Sequence, residues 1–357
     1  MSNYDRYVDS AASGFSYKGI KGCTTIIVGK DASADGSVMM AHNEDLGNDC
    51  VHHYKIVPGR ENNAGETITT FYGAEVPQVE KTHKYIATTL YDENYIPGTI
   101  TSGVNEYQVS VTNNIAFQRE AVKLSREKAK EKSSEWILRN DEIDQYPMEG
   151  RLIWTELTKF ALERAKSSRD AVHIMGDLAS SHGIWGPGYL YGVADPEEGW
   201  WLEVTQEGQW VAERVDDGST EMRANKYRIG KVDFRDEENF LYSDDLVEFA
   251  RSKDWYREES GTFDFAKVYE DPDKASAPMN KRREWRVDNL LEERTLSVEV
   301  EDLFSILRDH YEGTEYDLTE NYDKSPHETP ERPVCVNSTE VSVIHQMRDW
   351  MPAEVGG

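Results

Sequence analysis

One stretch, residues 22–45, constrains the fold more than any other part of this sequence. It opens with a run rich in β-branched residues, continues with the Asp, Ser and Gly of a turn, and closes with a run that is apolar until His42. The pattern predicts a β-hairpin around which the rest of the chain is organised.

Cys23 occupies the start of the first strand of this hairpin. With a loop centred near Ser33, antiparallel pairing places Cys23 roughly opposite Asn43, facing the polar run at residues 42–45. A thiol in such surroundings is a credible nucleophile, because a thiolate needs an activating base and an orienting hydrogen-bond network. The alternative is an inert buried thiol, since free cysteine is among the most buried residue types.

The composition excludes several classes of protein. The chain has 357 residues, of which 38% are hydrophobic and 30% charged, as in soluble globular proteins. No apolar run approaches the roughly 20 residues that a membrane helix needs. The formal net charge of −27 argues against binding to nucleic acid, whose phosphates would be repelled.

The cysteines indicate a reducing compartment, and we expect a cytoplasmic protein. There are three of them, Cys23, Cys50 and Cys335, without a Cys-x-x-Cys pair. This predicts neither a disulfide framework nor a zinc knuckle, and we expect no metal and no cofactor. Residues 1–22 lack an apolar core typical of a secretory signal and are interpreted as a short leader.

The hairpin resembles the amino-terminal signature of a known family. The matching residues are Cys23-Thr24-Thr25-Ile26-Ile27-Val28-Gly29-Lys30-Asp31-Ala32-Ser33, then Asp35-Gly36-Ser37, then Asn43-Glu44-Asp45. They look like the cysteine dipeptidases related to dipeptidase A and the secernins, which are N-terminal nucleophile hydrolases. The resemblance implies an α+β fold, a four-layer αββα sandwich, and cleavage between Gly22 and Cys23.

Such cleavage would make Cys23 the first residue of the working enzyme. The freed α-amino group, with an unperturbed pKa near 8, can act as general base towards its own side chain. No separate histidine is then required. Under this interpretation residues 23–357 form a single peptidase domain, which belongs either to a shorter family member or to a protein truncated at its carboxyl terminus.

A second candidate element lies at residues 101–114. A Gly-x-Asn-Glu turn precedes an alternating strand that ends in Asn113 and Asn114. This resembles the same region in the dipeptidases and in the bile-salt hydrolase and penicillin V acylase group, where a polar residue at the strand end helps to form the oxyanion hole. We expect one of the two amides to do so here, with the register open by one residue. The alternative is an asparagine that hydrogen-bonds within a turn.

The resemblance extends to later residues. Asn225, in an Ala-Asn that follows a strand, matches an active-site asparagine of the relatives and could donate to an oxyanion or orient the α-amino group. Arg283 aligns by its spacing to Trp285 with the family's Pro-Arg-x-Trp element, although Lys281 and Arg282 replace the expected neighbours. It could lower the pKa of the thiol or bind a substrate carboxylate. The alternatives are a structural turn residue and a basic helix start. Asp45 is expected to orient the amino group, and His42 and Asn43 are expected to contact substrate.

The remaining pattern predicts alternating helices and strands. Charged, helix-favouring sequence covers residues 120–139, and amphipathic helices are predicted at residues 151–167 and 168–180. Three strands follow within residues 189–215, and further helices are expected at residues 241–250 and 298–310. These elements suit a layered α+β architecture.

The function that we predict is that of a cysteine dipeptidase acting on small peptides. Two alternatives stay open: an amidase of the acylase type that cleaves an N-acyl bond, and a secernin-like interaction protein without catalysis. Neither nucleic acid nor membrane is an expected partner, and a homo-oligomer is left open.

Overall fold

The computed structural model describes residues 22–45, 51–91, 99–119, 149–275, 277–292, 297–320, 324–327, 329 and 331–351. The predicted helix at residues 120–139 and Cys50 lie outside these residues. In the described part of the chain, no helix combines the length and the apolar character needed to cross a bilayer.

The hairpin is confirmed. Strands β1 (Thr24–Val28) and β2 (Val38–Asp45) pair antiparallel, and every residue of both is buried. The register aligns Thr24 with Asn43, so the position opposite Cys23 is Glu44 rather than Asn43. The expected register was therefore off by one residue, which matters because neighbouring residues on a strand point to opposite faces.

Sixteen strands occur in the described residues. The others are β3 (Val51–Val57), β4 (Thr67–Thr69), β5 (Glu75–Pro77), β6 (Tyr85–Tyr91), β7 (Ile100–Asn105), β8 (Ser110–Ile115), β9 (Leu152–Ile153), β10 (Ile184–Trp185), β11 (Tyr189–Ala194), β12 (Gly199–Val204), β13 (Trp210–Arg214), β14 (Thr220–Arg223), β15 (Phe240–Tyr242) and β16 (Thr339–Met347). Two sheets dominate, a four-stranded sheet of order β14-β1-β2-β16 and an eight-stranded sheet of order β15-β13-β12-β11-β8-β7-β6-β3.

Seven α-helices lie in the described residues: α1 (Trp154–Arg164), α2 (Ser168–His182), α3 (Leu246–Ser252), α4 (Phe265–Tyr269), α5 (Pro272–Ala275), α6 (Pro278–Glu292) and α7 (Val300–Leu307). The first two and the last confirm predicted helices. The helix expected at residues 241–250 is wrong in its first part, because Phe240–Tyr242 instead pairs with β13 at a sheet edge. The meander β11-β12-β13 is confirmed.

The elements stack in four layers, as expected. The two sheets face each other, with β1 and β2 against β8 and β11, and Ile27 and Met40 pack there against Leu190 and Trp201. Helices α1 and α2 cover the outer face of the eight-stranded sheet. Helices α6 and α7 cover the outer face of the four-stranded sheet, where they bury Ile26. The hairpin thus lies at the centre of an αββα sandwich.

Candidate functional site

Cys23 lies immediately before β1, at the end of the space between the two sheets. The Gly22 amide donates to the carbonyl oxygen of Asp45 over 3.0 Å and extends the hairpin ladder past the strand end. The cysteine is 4% exposed. Gly22 is required here, because a Cβ at this position would lie 2.6 Å from Asn225 Oδ1.

The thiol belongs to a chain of hydrogen bonds on the inner face of the hairpin. Cys23 Sγ donates to Glu44 Oε1 over 3.1 Å, and Glu44 Oε2 lies 3.2 Å from His42 Nε2. His42 Nδ1 lies 2.8 Å from Thr25 Oγ1, which donates to Asn114 Oδ1 over 2.6 Å. These residues share a face because they alternate along β1 and β2.

This environment keeps the thiol protonated. Burial raises the pKa of Cys23 well above its ordinary value, and the nearby carboxylates of Glu44 and Asp45 raise it further. Desolvation and negative charge both disfavour a thiolate. The expectation that Arg283 would lower this pKa is not met in the intact chain, because these influences dominate.

The backbone amide and the backbone carbonyl of Cys23 are both hydrogen-bonded to buried side chains. Its amide donates to Asn225 Oδ1 over 3.1 Å, and its carbonyl accepts from Arg283 Nη1 over 2.6 Å. Arg283, fully buried on α6, also donates from Nη1 to Thr24 Oγ1 and from Nη2 to Asn225 Oδ1 and Asn280 Oδ1. The guanidinium therefore fixes both the cysteine and the asparagine that holds its nitrogen, as its five donors allow.

The structure separates the two candidate asparagines. Asn114 faces β1 and donates from Nδ2 to the carbonyls of Cys23, Arg223 and Ala224 over 3.3, 3.1 and 3.0 Å. Asn113 points to the opposite face of β8, where its amide donates to the carbonyl of Thr101 over 2.7 Å. Only Asn114 is brought next to the thiol.

Asp45 does not contact the nitrogen of Cys23 in this structure. Its buried carboxylate is bound instead by Arg332 Nη2 and by Thr339 Oγ1, which donates over 2.5 Å. Arg332 is fully buried and also donates from Nη2 to the carbonyl oxygen of Gly22 over 2.9 Å. The nitrogen of Cys23 is held by Asn225.

The two predicted substrate contacts fall on opposite faces of β2. His42 joins the inner hydrogen-bond chain described above. Asn43 faces α7, donates to the carbonyls of Leu307 and Val334 over 2.8 and 3.3 Å, and accepts from Ser342 Oγ over 2.6 Å. Its amide therefore anchors the outer helical layer and lies away from the thiol, as the one-residue difference in register requires.

Two residues of the site were given no role in the sequence expectations. Glu44 was part of the matching motif, but the assumed register placed Asn43 opposite Cys23, so the contact of Glu44 with the thiol was not foreseen, although its alternation with His42 could have revealed it. Arg332 stands 310 positions from Gly22 in the chain. Among the local sequence patterns around it, none links it to the hairpin, and only the folded structure brings it there.

Residues 22–357 match the model of peptidase family C69. A probable dipeptidase of Latilactobacillus sakei is 26% identical over 364 residues, which cover 95% of this chain and 70% of that protein. A probable dipeptidase of Salmonella dublin is 27% identical, over 94% of this chain and 76% of that protein.

Solved structures give weaker likenesses. Penicillin V acylase from Agrobacterium tumefaciens has a TM-score of 0.36 and 11% identity, over 79% of this chain and 70% of its own. A mutant of conjugated bile acid hydrolase from Clostridium perfringens has a TM-score of 0.32 and 10% identity, over 80% of this chain and 78% of its own. At these scores the likeness carries no argument about fold or activity.

Proposed function

Because the chain belongs to peptidase family C69, we propose that it is a cysteine dipeptidase whose nucleophile is Cys23. The observation that carries this proposal is the set of hydrogen bonds that hold Cys23. Its backbone nitrogen bonds to Asn225, its carbonyl to Arg283 and its thiol to Glu44. A reactive group must be held in one geometry for efficient attack, and buried, fully engaged side chains provide that. The names of the similar bacterial proteins favour dipeptides as substrates.

The first step is removal of residues 1–22. Cys23 Sγ attacks the carbonyl carbon of Gly22, the peptide nitrogen takes up the thiol proton, and the C–N bond breaks to leave a thioester. Water then hydrolyses the thioester, which releases the Gly22 carboxylate and frees the Cys23 amine and thiol. Arg332 supports this step because it already donates to the Gly22 carbonyl oxygen, where negative charge develops.

The freed amine then serves as the base. It takes the proton of its own thiol, and the thiolate attacks the carbonyl carbon of a dipeptide. The amine returns the proton to the departing amino group, and water hydrolyses the acyl-enzyme. Asn225 is positioned to hold the amine, as it holds the nitrogen in the intact chain.

The oxyanion of this reaction needs donors. We propose the amide of Asn114 or of Asn225, each of which now donates to backbone carbonyls beside Cys23. A side-chain amide that donates to the developing oxyanion stabilises the tetrahedral intermediate, and either amide would exchange a present carbonyl acceptor for that oxygen. Glu44 is placed to accept the thiol proton during attack on Gly22, before a free amine exists.

Two measurements on the purified full chain test the proposal. Intact mass and amino-terminal sequence are expected to show a chain that begins at Cys23. Dipeptides and N-acyl amino acids are then assayed side by side, and hydrolysis of dipeptides is expected to dominate.

The matched variant is Cys23→Ala. It is expected to keep residues 1–22, to lose hydrolysis and to retain the wild-type circular dichroism spectrum. Preference for N-acyl amino acids would favour the acylase alternative. Full activity of Cys23→Ala, or a processed and folded wild type without any hydrolysis, would refute the dipeptidase proposal.

A further inference from the structure

A second cluster of nucleophilic and metal-ligating side chains lies away from Cys23. It comprises His310, just after α7, His327 in the following connection, and Cys335 in the segment that leads to β16. One ligand atom from each residue lies within 4.8 Å of the others, and all three side chains are half-buried. The three residues lie in different segments of the chain, and folding brings their side chains together.

We propose that His310, His327 and Cys335 form a binding site for a single transition-metal ion, with Zn²⁺ as the best match. One thiolate and two imidazoles are ligands that zinc prefers. Tetrahedral zinc with bonds of about 2.0–2.3 Å sets ligand atoms roughly 3.3–3.8 Å apart. Cys335 Sγ and His327 Nε2 already lie 3.7 Å apart.

The imidazole of His310 carries the independent observation. Its Nε2 atom is buried and makes no hydrogen bond to any described residue. Buried polar atoms are normally paired, so an unpaired ring nitrogen on a side chain that lies beside an imidazole and a thiol calls for a partner. A metal ion bound by all three side chains supplies one.

Glu312 contacts the other ring nitrogen of His310, Nδ1. Its Oε1 lies 3.2 Å from His310 Nδ1, and its Oε2 accepts from the His310 amide over 2.6 Å. A carboxylate on one ring nitrogen places the proton there and leaves the lone pair of the other nitrogen for a metal. Glu312 is therefore a positioning residue, and the fourth coordination position is left for water.

The site would tie together the segment that carries Arg332. The Cys335 amide donates to the carbonyl of Asp309 over 3.1 Å, and the Tyr311 hydroxyl donates to the carbonyl of Arg332 over 2.8 Å. Asp309 is in turn bound by Arg286 of α6. A metal bridge between residues 310 and 335 would close this loop and stabilise the folded chain. The inference does not depend on the peptidase activity.

The test uses the full chain, stripped with a chelator and dialysed into excess Mg²⁺ so that exposed carboxylates are occupied. Zn²⁺ is titrated by calorimetry, bound metal is counted by elemental analysis, and the thermal midpoint is recorded. One ion per chain and a midpoint raised by a few degrees are expected. Co²⁺ should give a thiolate-to-metal charge-transfer band, which only a cysteine ligand produces.

Variants locate the site. Cys335→Ser is expected to remove the Co²⁺ charge-transfer band and to weaken Zn²⁺ binding at least 10-fold. Glu312→Gln is expected to weaken it about 10- to 100-fold while retaining the band, as a positioning role requires.

Two controls separate this site from other ligands. Cys23, His42 and Glu44 form the other cluster with metal-ligand spacing in the described residues, so Cys23→Ser must keep the ion and the band. His173→Gln, at an exposed histidine on α2, must also keep both. Absence of stoichiometric binding, binding unaffected by Cys335→Ser, or a band lost in Cys23→Ser would each overturn the proposal.

Discussion

Two clusters in this protein combine a cysteine, histidine and a glutamate, yet their surroundings differ. Around Cys23, both oxygens of Glu44 and both ring nitrogens of His42 have hydrogen-bond partners, and all of these side chains are buried. Around Cys335, the side chains are half-buried and His310 Nε2 has no partner among the described residues. Residue types alone do not distinguish the two clusters.

The difference shows how partners decide the chemistry of a thiol. In the first cluster the thiol, the carboxylate and the imidazole hydrogen-bond to one another, which holds the thiol in one geometry, as the proposed attack on a carbonyl requires. In the second cluster two imidazoles and a thiol lie together and His310 Nε2 has no hydrogen-bond partner among the described residues, which suits a metal ion. Variants around Cys23 and at one other buried carboxylate test this contrast.

Replacing Arg283 tests whether the Cys23 cluster depends on the hydrogen bonds that Arg283 donates to the Cys23 carbonyl and to Asn225. Arg283→Ala should lower peptidase turnover about 100-fold, because loss of its contacts frees the Cys23 carbonyl and Asn225. It should also destabilise the fold by roughly 3 kcal/mol, since hydrogen bonds of a buried charged group are lost. Turnover and urea unfolding measure the two effects.

The neighbour Arg282 is the matched control. Its side chain is 43% exposed and forms a 3.6 Å ion pair with Glu331. Arg282→Ala should change stability by less than about 0.5 kcal/mol, as is usual for exposed pairs. Equal losses of turnover and stability in the two variants would show that the hydrogen bonds from Arg283 to Cys23 and Asn225 are unimportant.

Much of this architecture follows from local patterns. The hairpin, the amphipathic helices α1 and α2 and the meander β11-β12-β13 were predictable because hydrophobic periodicity is set by neighbouring residues. The meeting of Cys23 with Asn225 and Arg283 was predicted through a resemblance to a family, and the structure brings these three together. Their roles in catalysis stay predictions.

What escaped prediction depends on register and on long-range contact. A hairpin register that is off by one residue exchanges the faces of β2. It left the contact of Glu44 with the thiol unforeseen and turned Asn43 toward the thiol, whereas Asn43 faces α7. Arg332 lies far along the chain from the residues that it contacts, and the three proposed metal ligands also come from separate segments. Local sequence patterns do not predict such long-range contacts. The absence of a Cys-x-x-Cys pair therefore says little about a site assembled from distant residues.

Replacing Arg332 tests the step that releases Cys23. Arg332→Lys keeps a positive charge beside Asp45 but loses the planar fork that also reaches the Gly22 carbonyl. Removal of residues 1–22 should slow by about 10- to 100-fold, in line with loss of one oxyanion donor. The measurement is a time course of intact mass after synthesis.

Arg286 provides the control for this variant, because it forms a comparably buried pair with Asp309. Arg286→Lys should leave the rate of processing unchanged. Equal rates in wild type and Arg332→Lys would mean that the contact with Gly22 only stabilises the fold.

Glu44→Gln tests the electrostatic part of the contrast. The carboxylate contributes to the raised pKa of Cys23, so its neutral isostere should lower that pKa. Alkylation of Cys23 at pH 8 should therefore accelerate, since each unit by which the pKa falls raises the thiolate fraction about tenfold. Digestion and mass spectrometry follow the alkylation of Cys23 and Cys335 in the same sample. A peptide that spans residues 22 and 23 comes only from unprocessed chains. A rate that rises equally at Cys335 would indicate general loosening instead.

Glu270 extends the contrast to a carboxylate with one unpaired oxygen. One of its oxygens, Oε1, is buried without a hydrogen bond to the described residues. Burial, and then the charge of Glu203, raise the pKa of Glu270 to about 9. The folded state therefore binds a proton that the unfolded state releases near pH 4.5, and this contribution to stability is lost as pH rises from there through about 9.

Glu270→Gln should accordingly be more stable than wild type at pH 8, by at least about 1 kcal/mol, the free energy that one pKa unit represents. At pH 4 the two proteins should differ little, because Glu270 is then protonated in the folded state and mostly protonated in the unfolded chain. Urea unfolding at both pH values measures this, and Glu248→Gln, at an exposed glutamate of α3, serves as control. A stability difference that is the same at both pH values would mean that hydrogen bonding, rather than ionisation, sets the effect of Glu270.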